Sequence, residues 1–171
     1  MMERDSMKGK AIIAGNDVST DDIIPGRFAH LRSNLPELAT HAFEDRIPGF
    51  AERVKGGDVL VGGRNFGLGS SREHAPVVIK MSGVGAILAK SVARIFYRNA
   101  INQGVPVLIC DTDGISDGDD LEIRLTDGVV VNHTTGASLS CGKMPGLMSD
   151  ILAAGGLVPY IREHGSLDAG D

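Results

Sequence analysis

Between residues 56 and 110 the chain alternates short apolar runs with amphipathic ones, and this rhythm constrains the fold more than any other feature. "GGDVLVGG" (56–63), "GAILAK" (85–90) and "VPVLIC" (105–110) read as buried strands bounded by turn residues. The stretches between them, "SREHAPVVIKMSG" (71–83) and "ARIFYRNAINQG" (93–104), read as helices stopped by Gly83 and Gly104. The first of these places Val77, Val78 and Met81 on one face. Consecutive strands joined through helices are parallel neighbours in one sheet. "GKAIIAGND" (8–16) adds an earlier strand closed by a turn.

The flanking segments have a different character. "STDDIIPGRFAHLRSN" (19–34) has no clean period and is broken by Pro25-Gly26, so it reads as a structured loop. "PELATHAFE" (36–44) opens on proline and spaces Leu38, His41 and Ala42 as a helix does. After Cys110, "DDLEIRL", "GVVVNH" and "GASLSC" form short strands joined by turns at Asp127-Gly128 and Thr135-Gly136, an antiparallel meander. "GLMSDILAAGG" (146–156) is a last helix, and a loose tail is expected from about Glu163. No repeat or linker divides residues 1–171. The expected fold is one α/β domain with a mixed sheet and an additional antiparallel β layer.

The junction of the second strand and its helix carries the chemistry. "VGGRNFGLGSSREHAP" (61–76) puts a glycine-rich turn before a helix start. Glycines admit positive φ and close backbone approach, and a helix start offers free N–H groups, so the stretch suits an anion. A dinucleotide site does not fit. Arg72 stands where a third small residue is needed, and no acid lies between Ile87 and Arg98. A P-loop does not fit either, since Gly-Lys-Ser/Thr is absent. Ser70 to Glu73 also satisfies the pattern of a capping box, in which Ser70 only starts the helix. Ser71 can cap instead and leave Ser70 free. Arg72 is harder to read as structure, because a cation in the first turn opposes the helix dipole. A two-pronged hold on a ligand carboxylate accounts for it.

Other chemistries find little support. The Gly-x-Ser-x-Gly elbow is missing, and the five histidines show no ligand spacing; His74 reads as a packed or capping residue. A net charge of −5 and an aromatic content of 4% speak against a nucleic-acid surface. Cys110 and Cys141 are too few for a four-thiolate cluster and read as free buried thiols. No apolar run reaches membrane-spanning length, and "MMERDSMKGK" lacks a signal-peptide core, so a cytoplasmic protein is expected.

Four motifs taken together resemble a known family. "GNDVSTDDIIPGRF", "NFGLGSSREHAP", "AKSVARIFYRNAINQG" and "AGGLVPY" resemble, in order and spacing, the small subunits of 3-isopropylmalate dehydratase, within the swivel domains of the aconitase superfamily. The likeness runs from about Lys10 to Ile161. It implies a swivelling β/β/α domain and a hydro-lyase acting on a small dicarboxylate in leucine biosynthesis. It also implies a large-subunit partner, in a heterodimer or heterotetramer, that holds a [4Fe–4S] cluster, while this chain binds no metal. The resemblance makes Ser70 the catalytic base and gives Ser71 and Arg72 the substrate carboxylate. On this reading Gly67 and Gly69 let the backbone approach both. The segment "GRFAHLRSN" (26–34) matches the family's specificity loop, with Arg32 as the selecting arginine and Arg27 as the alternative placement. Leu68 stands where common members have cysteine, and the specificity segment differs from the Tyr-Leu-Arg-Thr form. The substrate therefore stays open to homoaconitase or dimethylmalate-type dehydratases. A non-catalytic anion-binding partner is the reading from another functional class.

Overall fold

The computed structural model describes residues 6–69, 73–142 and 144–165. Strand β1 (Ser6–Gly15) is the spine of the fold. Its second half pairs in parallel with β2 (Val59–Gly62), which pairs with β3 (Ala86–Ala89), which pairs with β4 (Val107–Ile109). Its first half pairs antiparallel with β5 (Asp120–Arg124). The meander continues through β6 (Val129–Asn132) and β7 (Ser138–Ser140), giving the order β4-β3-β2-β1-β5-β6-β7.

Side chains alternate across the parallel strands, and this sorts the interior into two layers. Ile12, Leu60, Ile87, Ala89 and Val107 face the helices, where they meet Val78, Ile79, Phe96 and Ala100. Ala11, Val59, Val61, Ala86, Leu88 and Leu108 face the meander and pack on Leu121, Ile123 and Val130. A β/β/α sandwich results, as the near-continuous apolar runs required.

The helices on the first face are α1 (Thr20–Ile23), α2 (Leu35–Ala39), α3 (Phe50–Arg53), α4 (His74–Met81) and α5 (Arg94–Asn102). The pair α6 (Gly146–Ala154) and α7 (Leu157–His164) closes over α5 through Ile101, Ile151 and Tyr160.

Several local expectations are corrected. The supposed loop 19–34 contains α1 and a 3-10 helix, Gly26–Ser33. The helix expected over 36–44 is only Leu35–Ala39, with turns beyond it. On α4 the buried positions are Ala75, Pro76, Val78 and Ile79, whereas Val77 is only partly buried and Met81 is exposed. The helix expected over 146–156 is not the last, since α7 follows it and ends at His164; the expected tail beyond residue 165 lies outside the described residues. Pro159 sits in the first turn of α7, where a missing N–H costs nothing.

Candidate active site

In an open parallel sheet, ligands gather where the carboxyl ends of the strands meet their loops. Here β1, β2 and β3 end at Gly15, Gly62 and Ala89, and β2 lies between the other two. The glycine-rich loop after β2 is therefore held from both sides.

On the β1 side, Gly63 N–H donates to Gly15 O at 2.9 Å and Asp17 N–H to Arg64 O at 2.8 Å. Gly67 and Leu68 N–H both donate to Val18 O, at 2.7 and 3.1 Å, and Thr20 N–H donates to Leu68 O at 2.8 Å. On the β3 side, Lys90 N–H donates to Gly63 O at 2.9 Å, Phe66 N–H to Ser91 O at 3.0 Å and Ala93 N–H to Phe66 O at 2.8 Å. Parallel bridges Ser19–Leu68 and Phe66–Val92 complete the frame. The loop thus continues the sheet past its regular strands. Phe66, fully buried, fixes it to the helical layer through an edge-on contact with Phe96 at 5.3 Å.

Gly67 and Gly69 both adopt positive φ, +85° and +99°. A Cβ at Gly67 would lie 2.4 Å from the Phe96 ring, and one at Gly69 would lie 3.2 Å from the Thr20 hydroxyl. The close approach these glycines permit within the chain is to Phe96 and Thr20. Ser70, Ser71 and Arg72 lie outside the described residues; α4 itself begins at His74 with Glu73, not a serine, in the cap position and no side-chain capping hydrogen bond, so the capping box expected over Ser70–Glu73 is not the start of this helix. The structure places their neighbours: exposed Gly69 on one side, and exposed Glu73 leading into His74–Met81 on the other.

The turn from β1 into α1 is itself tied down. Ser19 Oγ accepts from Asp22 N–H at 3.0 Å while Asp22 Oδ2 accepts from Ser19 N–H at 2.8 Å, a reciprocal cap. The half-buried Arg46 guanidinium donates to Ala14 O at 3.0 Å, to Asn16 O and to the Asp22 carboxylate at 3.1 Å. One arginine thereby staples the turn that frames the loop.

The 3-10 segment separates its two candidate arginines. Arg27 forms a two-pronged pair with Asp45, at 2.6 and 2.8 Å, with Glu44 at 3.7 Å, and it lies over the Phe28 ring at 4.6 Å. That hydrogen-bonded pair holds the Asp45 carboxyl below its ordinary range and raises Arg27. Phe28 stacks on His41 at 3.9 Å. Arg32 is exposed and spends only its Nε, on Ala29 O at 3.0 Å. Among the described residues no carboxylate forms an ion pair with Arg32.

No group of three or more His, Cys, Asp or Glu suited to a metal is found among the described residues. The two cysteines are buried between the sheets. There a hydrogen bond to Cys141, followed by burial, pushes the Cys110 thiol well above its ordinary range. Such thiols do not fit a cluster, which needs accessible thiolates.

Sequence reasoning missed Asp17, Arg46, Asn65 and Ser91. The available signal was a repeated Gly-x-Asx pattern, Gly15-Asn16-Asp17 and Gly63-Arg64-Asn65, after two neighbouring strands.

Comparison with known proteins agrees with this architecture. The Aconitase C-terminal domain family matches residues 16–111. The chain is 55% identical over 161 residues to 3-isopropylmalate dehydratase small subunit 2 of Archaeoglobus fulgidus, covering 94% of this chain and 98% of the relative. It is 51% identical to small subunit 1 of Thermotoga maritima, covering 94% and 97%. It is 45% identical to the isopropylmalate/citramalate isomerase small subunit of Methanocaldococcus jannaschii, covering 94% and 96%. The crystal structure of a 3-isopropylmalate dehydratase from the last organism superposes with a TM-score of 0.88 at 47% identity, covering 94% of this chain and 95% of that one.

Proposed function

Because this chain belongs to the Aconitase C-terminal domain family, among the 3-isopropylmalate dehydratase small subunits, we propose that it is the small subunit of a two-chain hydro-lyase. The enzyme interconverts 2-isopropylmalate and 3-isopropylmalate in leucine biosynthesis, in the cytoplasm. The chain acts as one swivel domain over residues 1–171. The observation that carries this reading is the framed glycine loop, held by turns on both sides at the carboxyl edge of the parallel sheet and leading directly into Ser70.

The reaction removes a proton from the carbon beside a carboxylate and a hydroxyl from its neighbour. Water then returns to the alkene diacid in the opposite orientation. Ser70, at the end of the loop, takes and returns the proton as an alkoxide. Loop amides, the start of α4 and nearby cations make that alkoxide less unfavourable. Ser71 and Arg72 hold the carboxylate. The large subunit holds the [4Fe–4S] cluster, which supplies the Lewis acid for the departing hydroxyl. The two thiols of this chain are buried on each other and do not fit that role.

The specificity arginine is Arg32. Its two terminal nitrogens make no ion pair among the described residues, whereas Arg27 is committed to Asp45. In the complex with the large subunit, wild-type protein turns over 2-isopropylmalate. Arg32→Ala changes the ratio of kcat/KM between isopropylmalate and a competitor whose side chain carries a carboxylate, about tenfold or more. Equal losses for both substrates would remove the 3-10 segment as the selector.

A further inference from the structure

Asp17 and Asn65 both hold positive φ, +57° and +58°, although neither is glycine. Such residues are uncommon and collect where a fixed backbone shape serves a site. The two face each other across the sheet edge, and Asn65 Nδ2 donates to Asp17 Oδ1 at 2.9 Å. Asn65 also donates its backbone N–H to Ser91 Oγ at 2.8 Å, and Asp17 donates its own to Arg64 O. One exposed residue therefore joins all three loops at the carboxyl ends of β1, β2 and β3.

We infer that Asp17, Asn65 and Ser91 form a clasp that sets the position of the Gly67–Gly69 loop for the dehydratase reaction, with Asn65 as its central positioning residue. This deepens the function proposed above and rests on it. Burial does not explain the arrangement, because Asn65 is exposed. Turn formation alone does not explain it either, because glycine would satisfy φ +58° at no steric cost. What glycine lacks is the side chain that reaches Asp17. Gly67 and Leu68 hang from Val18, the residue after Asp17, and Phe66 and Ala93 pair beyond Ser91. Releasing Asn65 thus loosens both walls of the segment that ends one bond before Ser70.

Asn65→Gly separates positioning from folding. With the large subunit present, Tm is expected to stay within about 3 °C of wild type. Meanwhile kcat falls on the order of 10–100-fold with KM little changed, the scale of a small misplacement of reacting groups. Hydrogen exchange at Gly67 and Leu68 in the isolated chain is expected to quicken. A second series uses charge. Asn65→Asp sets two carboxylates against each other and is expected to lose turnover. Asp17→Asn keeps a polar pair and stays near wild type. The double variant Asp17→Asn/Asn65→Asp reverses the same hydrogen bond and is expected to recover most of the loss. Full kcat in Asn65→Gly, unchanged exchange at Gly67 and Leu68, or no recovery in the double variant would overturn the clasp. If wild-type protein shows no isopropylmalate turnover, the proposed function fails, and the exchange measurement still decides the clasp.

Discussion

Replacing Ser70 by alanine is expected to abolish turnover while the chain still folds and still assembles with the large subunit. General-base catalysis contributes about 10²–10⁴-fold, and a methyl group cannot accept the proton. The competing account makes Ser70 only a capping residue in the segment that leads into α4, which itself begins at His74. Loss of a cap costs about 0.5–2 kcal/mol, which at roughly 2–4 °C per kcal/mol for a chain of this size lowers Tm by about 2–8 °C. In that case most activity survives. Melting temperature and rate measured on the same preparation separate the two accounts. A complex of normal stability and normal rate would refute both roles.

Arg72→Lys is the second large effect. The sequence sets a cation just ahead of a helix start, where the helix dipole disfavours it, and a ligand of opposite charge accounts for it. In the proposed function Arg72 holds the substrate carboxylate; a guanidinium fork grips both oxygens of such a group, and the point charge of lysine cannot copy that geometry. The substitution is expected to lower kcat/KM by about 30-fold or more for every substrate tested, because the contacted carboxylate is common to all of them. That uniform loss is the opposite signature from the one expected at Arg32. Loss confined to one substrate would mean that Arg72 reads the variable end and that the two arginines have exchanged roles.

The strands were legible because they are apolar on both faces. Val59, Leu60 and Val61 are all buried, as are Ala86 through Ala89. A run without polar alternation announces a covered sheet, and the antiparallel turns carry their own signals. Helix α1 was not legible, because its four residues have no apolar period. Its existence depends on the Ser19–Asp22 cap and on Arg46, which reaches back across the sequence to the turn before it. Helix α4 was found but its buried face only in part: Val78 is buried as expected, whereas Met81 at its last turn is exposed and Ala75 and Ile79 are buried instead.

The candidate site divides in the same way. The Gly-Ser-Ser-Arg motif is local and can be read in one dimension. The resemblance had put Arg32 first and Arg27 second; that Asp45 occupies Arg27 could be seen only in three dimensions. The Asn65–Asp17 bond joins residues far apart in sequence and depends on two backbone angles that sequence does not state.

The most direct test of the dehydratase assignment is reconstitution under anaerobic conditions. The purified chain, the cluster-loaded large subunit, and the two mixed are each given 2-isopropylmalate, and 3-isopropylmalate is measured. Product is expected only from the mixture, with the isolated chain inactive and free of iron after attempted cluster loading. Product from the large subunit alone, iron retained by this chain, or a mixture that leaves 2-isopropylmalate unconverted would contradict the account.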